Sequence, residues 1–421
     1  MRIRSTKSLF FLLPTTLAVT SGIAQAACTL PTSGFYDLAA SINGQCGTFN
    51  TNSADTFLDK FTTQGLQSLA GTTYTGTEAA TIQANFNSLL MSVSFPTAGS
   101  SQLTLSIPAL GVNQTFQGAT RDDSRQLFND YVKKSGIIGE IMKYQAANTA
   151  HSPIAGPGGA IPTAVATSFN DSFTDTATNI AGPANEAAGA SQGGHAPGLA
   201  GVALQYSALK VQDANTNVVT LPLSYTIRND IDPRRQLVLS MPISAIDADG
   251  AKAYGAGLGA AYRFPMNDNW TLTPGIKLSA VGSKDLATLA AVGAGSITST
   301  YIWPGHNYDV AMGNMIGYYR TIKVTAGDYS ADPGINSTVF RNGVLLSHPV
   351  TLNGHKMSLE YSLIDTRYTG TKFYVDNTQE IGITLGTNKH AYSARSFFRA
   401  GLSYLHGKDT NGVTANVGYW F

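Results

Sequence analysis

From about Gly201 to Phe421, apolar side chains fall on alternate positions, in segments of roughly ten residues separated by turn-forming clusters. A period of two is that of a β-strand with one apolar face. Val219, Leu221, Leu223, Tyr225 and Ile227 share a face, as do Leu237, Leu239, Met241 and Ile243. Tyr254 to Phe264, Trp270 to Leu278, Met357 to Leu363, Ile381 to Leu385 and Phe398 to Tyr404 repeat the pattern. The final segment carries Val413, Ala415, Val417, Tyr419 and Phe421. Asp213-Ala-Asn-Thr-Asn, Asp247-Ala-Asp-Gly, Leu352-Asn-Gly-His and Lys408-Asp-Thr-Asn-Gly supply turns between strands. About twelve strands are expected. Residues 285–302 are Gly-rich, and residues 308–328 put Asn314 and Arg320 on an otherwise apolar face.

The period changes upstream. Over 27–150, Phe57, Leu58, Phe61, Leu66 and Leu69 predict one amphipathic helix, and Ile82, Phe86, Leu89, Leu90 and Val93 predict a second. Leu103, Leu105 and Ile107, followed by Val112 and Phe116 beyond Gly111, predict a hairpin. A third helix is expected from Asp122 through Met142, kinked or broken at Ser135-Gly136. The expectation is a small α+β or mainly helical domain. Residues 151–199 are rich in Gly, Pro, Ala, Ser and Thr and cannot build a core alone. They read either as a flexible linker or as a plug for a narrow lumen, with one weak helix over 163–180 carrying Val165, Phe169 and Phe173.

Residues 1–26 read as a secretory signal peptide: Arg2, Arg4 and Lys7, then an apolar stretch from Leu9 to Val19, then Ala24-Gln25-Ala26 as the cleavage site. Export makes Cys28 and Cys46 a disulfide pair closing a short loop. Beyond the signal no segment has the ~18 unbroken apolar residues of a membrane helix. Forty-three glycines, nineteen tyrosines and only 13% charged residues suit a sheet with alternating faces better than a helical enzyme.

If the apolar face points outward, the opposite positions line an interior. They include Gly255, Gly257, Gly259 and Arg263 on one strand, and Arg228, Lys277, Lys323, Arg341, Glu360, Arg395 and Arg399 elsewhere. The glycines read either as relief of strain or as space for something threaded through. Glu360 is expected to pair with Arg395 or Arg399. Residues 27–199 hold 6 Lys/Arg and 11 Asp/Glu, a balance of −5; residues 200–421 hold 18 and 15, a balance of +3. An acidic N-terminal part beside a basic lumen favours plugging or passage, and Asp171, Asp175 and Glu186 are the acids placed to meet Arg263 or Arg399.

Together these residues resemble a bacterial outer-membrane β-barrel of the autotransporter-like kind. The resemblance covers 200–421 well and 27–150 poorly, since the N-terminal region is short and carries no solenoid repeat. It implies an all-β transmembrane barrel inserted in the outer-membrane lipid bilayer, with the Tyr419/Phe421 ending read by the barrel-assembly machinery. An even strand count puts both barrel ends on the periplasmic side. The turns near 231–234, 265–269, 304–307, 352–355 and 388–392 then face the periplasm. Those near 213–217, 246–251, 283–287, 328–337, 366–377 and 407–412 face outside. Two functions fit: export or display of the N-terminal region, or a gated pore that keeps that region in the periplasm. No cofactor, metal site or nucleic-acid surface is expected, nor an enzyme: Ser347-His348 and Ser393 near His390 lack a carboxylate at a convincing offset.

Overall fold

The computed structural model describes residues 28–70, 74–178, 198–232, 234–326, 329–387 and 397–421. The predicted signal peptide, Glu186, Arg395 and the Ser393/His390 pair lie outside the described residues.

The N-terminal region opens with a hairpin that the apolar pattern did not predict, β1 (Tyr36–Ile42) and β2 (Gln45–Thr51), turned at Asn43-Gly44 with φ of 49° and 80°. Positive φ at both central residues matches the twist of the strands, which is why Asn-Gly recurs there. Cys28 and Cys46 are joined by a disulfide, with Cα atoms 5.6 Å apart. The first predicted helix is two, α1 (Ala54–Asp59) and α2 (Thr63–Ala70).

The second predicted helix is a correction. Its residues form a hairpin, β3 (Ala80–Phe86) and β4 (Leu89–Phe95), turned at Asn87-Ser88 with φ of 49° and 73°. Ala80, Ile82, Ala84 and Phe86 are all buried, a period of two. The helical spacing of 82, 86, 89 and 93 arises because the turn shifts the phase between the strands. The hairpin at 103–116 is β5 (Leu103–Ile107) and β6 (Val112–Phe116). The six strands form one antiparallel sheet in the order β2-β1-β3-β4-β5-β6.

The third helix is broken where expected. α3 (Arg121–Lys134) starts on a capping box between Thr120 and Asp123, and α4 (Ile137–Asn148) follows Gly136 at φ 79°. The box satisfies the free amides of the first turn, and the left-handed glycine turns the chain between the helices.

Beyond a turn at 149–159, the chain becomes helical again as α5 (Ala160–Phe169), runs through a π-turn over Asn170–Thr174, and continues into α6 (Asp175–Ala177). The barrel follows. Its strands are β7 (Leu199–Val211), β8 (Ala214–Arg228), β9 (Gln236–Ala248), β10 (Ala251–Pro265), β11 (Trp270–Ser283), β12 (Thr288–Pro304) and β13 (Asp309–Ile322). A small hairpin, β14 (Val324–Ala326) and β15 (Tyr329–Ala331), leads to β16 (Asn336–Leu352), β17 (His355–Gly370), β18 (Asn377–Thr387), β19 (Phe397–Gly407) and β20 (Thr410–Trp420).

Twelve of these strands, all but the small hairpin, close into one antiparallel barrel in which β20 pairs with β7. Every strand of the closed sheet turns bare apolar groups outward, among them Leu204, Val219, Met241, Leu258, Ile276, Ile297, Ile316, Val344, Leu363, Ile383, Leu402 and Val417. A continuous apolar exterior of this extent is untenable in water and suits lipid. Asn314 and Arg320 do sit on that outward face. At the end holding Phe421 lie aromatic pairs, Tyr262 with Phe264, Tyr301 with Trp303 and Tyr419 with Phe421, their centroids 4.4, 4.7 and 5.9 Å apart. Amphipathic rings settle at a membrane interface.

The N-terminal region packs on the opposite mouth. It touches five of the six loops there: Asn52 donates to the carbonyl of Asp249, and Ala54 N–H to that of Asp285. The Gln212 side chain accepts from Thr149 and Ala150, and Tyr374 N–H donates to the carbonyl of Ala146. Gly139 lets α4 approach the backbone of Asp332, where any Cβ would collide with its carbonyl. One contiguous apolar core therefore runs from Met142 and Ala146 of α4, through Ile154, into the barrel interior.

Candidate functional site in the barrel lumen

α5, the π-turn and α6 form one continuous helical rod inside the barrel. Eighteen residues at about 1.5 Å each give about 27 Å, close to the ~25 Å height of an outer-membrane apolar band. Its composition suits the place. Ala160, Ala164, Ala166 and Ala177 keep it thin, while Thr167, Ser172, Thr176 and Thr178 return their hydroxyls to carbonyls four residues back, at 2.6–2.8 Å. Such back-bonding leaves few polar groups needing partners from the wall.

Phe169 and Phe173 anchor the rod. Both are essentially fully buried, with ring centroids 4.9 Å apart. They rest on Gly313 and Gly343, which face each other across β13 and β16. A Cβ on Gly343 would lie 3.0 Å from both rings, and one on Gly313 would overlap Phe173. These two glycines make the pit, and the alternation of β13 and β16 does not single them out. Arg341 closes it, its guanidinium carbon 5.2 Å from the Phe169 centroid, a cation–π distance. We expect Gly343→Leu to displace the rings while leaving the strand ladder intact. Ion leak through the reconstituted barrel should rise with an unchanged heat-modifiable band on gels; unchanged leak would remove the pit from the account.

Gly255, Gly257 and Gly259 serve the wall. A Cβ at Gly255 would meet Ser244 Oγ at 2.7 Å, at Gly257 Ser279 Oγ at 2.9 Å, and at Gly259 both Ser240 Oγ and Lys277 Cε at 2.7 Å. Gly259 thus lets the Lys277 stem lie flat across the wall. Lys277 Nζ reaches Thr167 Oγ1 at 2.6 Å and the Asp171 carboxylate at 3.6 Å. Arg263 donates to Gln236 and to the carbonyl of Asp171, and lies 3.4 Å from the Asp175 carboxylate. The two acids of the rod meet two cations of the wall, on the strands β10 and β11. Ser172 adds a bond to Thr298 at 2.8 Å.

Elsewhere on the lumen wall, Arg399 grips Glu360 through both nitrogens, one bond at 2.9 Å, and Arg341 lies 2.9 Å from Glu380. Arg228 ends β8, and Lys323 lies exposed beyond β13, outside the lumen. Ser347 is buried on the inner face, whereas the neighbouring His348 stacks toward the outward Tyr361 at 6.2 Å, so the two diverge. Between the rod and the wall of β7, β8 and β18 a gap of about 120 Å³ remains, lined by Thr163, Thr167, Ser207, Thr220 and Glu380.

At the mouth the chain turns into the lumen beside His151. Its ring lies 4.6 Å from Phe35, and its Nδ1 is buried with no hydrogen-bond partner among the described residues. Burial pushes its pKa down to about 4, against a smaller upward pull from Asp249 and Asp213. The released residue titrates near 6.5. The docked arrangement is therefore at full strength above about pH 6.5 and weakens as pH falls from there toward 4, because only the released state takes up the proton. Protease sensitivity of residues 28–150 should rise between pH 7.5 and 4.5, and His151→Phe should flatten that rise.

A closed twelve-stranded antiparallel barrel with a lipid-facing apolar exterior is the architecture of a bacterial outer-membrane β-barrel. No family model and no curated protein matches the sequence. Among solved structures, the β-domain of the Bordetella autotransporter Brka aligns at 14% identity and a TM-score of 0.42, covering 53% of this chain and 98% of that one. An outer-membrane channel from Pseudomonas putida F1 aligns at 11% identity and 0.39, over 54% of this chain and 95% of that one. The translocator domain of the autotransporter NalP from Neisseria meningitidis aligns at 14% and 0.39, over 62% and 97%.

Proposed function

We propose that this barrel carries its own N-terminal region across the outer membrane and holds it docked at the outer mouth, with residues 160–178 left in the pore as a strut. What supports this reading is the path of the chain. The N-terminal region lies at one mouth, the rod fills the lumen, and the first barrel strand begins at the other mouth, beside Phe421. With an even number of strands, both barrel ends belong on the periplasmic side, so the docked region belongs outside. A chain threaded outward through its own barrel ends in this arrangement, with the last segment to enter still inside. The boundaries we assign are 27–150 for the displayed region, 151–199 for the strut and its flanks, and 200–421 for the barrel.

Replacing residues 28–150 by an unrelated, flexible epitope of similar length tests the reading. Export predicts antibody binding to intact cells. A second reading, a gated channel that keeps the N-terminal region in the periplasm, draws on the hydroxyl-lined gap beside the rod, which offers a polar path once the rod moves. It requires the barrel to sit inverted in the membrane, and it predicts that the epitope is reached only after permeabilisation.

A further inference from the structure

The lipid-facing wall is not evenly covered. Near the docking mouth, four outward positions of β9 to β11 around Tyr254 are small: Ala245, Ala256, Ala280 and Gly282. They are paired neighbours, Ala256 with Ala280 and Tyr254 with both Ala245 and Gly282. Val219 and Ile243 rise on one side and Leu289 on the other, leaving a depression of about 510 Å³. A Cβ on Gly282 would approach only Leu289, at 3.9 Å, so the space is open. The depression continues upward past Tyr254, Gly282 and Leu289 into a crevice of about 1090 Å³ beneath the N-terminal region. Ile138 and Met142 of α4 roof that crevice, with Val324 and Ala331 at its far side.

Two ammonium groups stand at the same place. Lys252 points outward at the top of β10, and Lys284 follows β11; both line the crevice, both are exposed, and neither is engaged in an ion pair among the described residues. The nearby Asp285 turns its carboxylate to the Lys252 backbone N–H at 2.9 Å. The result is a hydrocarbon-lined trough rising out of the membrane band, with Lys252 and Lys284 on its upper lining and the Asp285 carboxylate turned to backbone beside them.

We propose that this trough retains one phosphate-bearing lipid of the adjacent leaflet. An acyl chain lies over Ala256, Ala280 and Gly282 and under α4, and the phosphate lies between Lys252 and Lys284. A water-filled trough would leave Ile138, Tyr254 and Leu289 wet, whereas a chain covers them, and the lysines add the attraction of cations for anionic headgroups at a membrane surface. The lipid joins barrel to N-terminal region, so it reinforces the docked state. The site exists whichever way the N-terminal region reached this mouth.

The full chain, reconstituted in phosphatidylcholine nanodiscs doped with phosphatidylglycerol, provides the test. Native mass spectrometry should find one phosphatidylglycerol retained after transfer to neutral detergent. Lys252→Gln with Lys284→Gln should lower that retention by about an order of magnitude, given the attraction expected per basic residue. Lys356→Gln, at the opposite barrel end, should leave it unchanged. Gly282→Leu should release a chain-labelled lipid, seen as loss of the immobilised component in its spin-label spectrum. Equal retention by the double lysine variant, or an equal loss in the Lys356 variant, would overturn the proposal.

Discussion

A barrel lacking residues 28–178 should conduct ions in planar bilayers, in steps several-fold larger than any seen with the full chain. The rod fills the lumen along most of its height, and a gap of about 120 Å³ remains beside it. Removing the rod leaves Gly313 and Gly343 bare and frees Arg263 and Lys277 from the carboxylates of Asp175 and Asp171. Among the described residues the inward cations Arg263, Lys277, Arg341 and Arg399, with Arg228 at the end of β8, then outweigh Glu360 and Glu380, so the open pore should favour anions. The strand ladder does not depend on the rod, although stripping two buried cations of their partners lowers barrel stability. Conductance that stays at the level of the full chain in a correctly folded barrel would mean that the rod is not what closes the lumen.

Deleting Phe421 should sharply reduce the amount of folded, heat-modifiable barrel in outer membranes. Its effect on a finished barrel should be small by comparison. Phe421 exchanges two backbone hydrogen bonds with Ala200, each 2.9 Å, extending the seam of β20 and β7, and its ring stacks on Tyr419. Two such bonds are worth about 1 kcal/mol each, and the ring is more than half exposed. Loss of these contacts alone predicts a modest drop in urea midpoint after refolding in vitro. A much larger fall in cells than in vitro identifies Phe421 as part of what the assembly machinery reads. Equal, modest losses in both settings assign it a purely structural role at the seam.

The barrel was legible because its exterior faces lipid. Lipid favours apolar groups at outward positions, so the alternation is clear on most strands of the closed sheet and weakest on β12 and β13. Even the outward Asn314 and Arg320 stood out against it. The N-terminal sheet had no such uniform solvent. β1 is buried on both faces, with Asp37 and Ala39 as hidden as Tyr36 and Leu38, so it has no alternation to read. β3 and β4 alternate, but their turn restores a helical spacing between them. Asn43-Gly44 and Asn87-Ser88, both at positive φ, were the local signals available.

Within the lumen, charge led to the right neighbours and glycine did not. Asp175 meets Arg263 and Glu360 meets Arg399 as expected, whereas Asp171 meets Lys277 and not Arg399, which Glu360 already holds. The row Gly255, Gly257 and Gly259 was conspicuous because it is contiguous, yet it accommodates wall side chains. Gly313 and Gly343 hold the rod because they are adjacent across two strands, and adjacency between strands is a matter of register that one strand does not encode.

Protease shaving of intact cells reads out on which side of the outer membrane the N-terminal region lies. A protease-sensitive tag is inserted in the turn after α1, near the exposed Thr62. External protease should remove the tag from intact cells while a periplasmic marker survives. A tag that is cut only after the outer membrane is permeabilised would contradict export of that region.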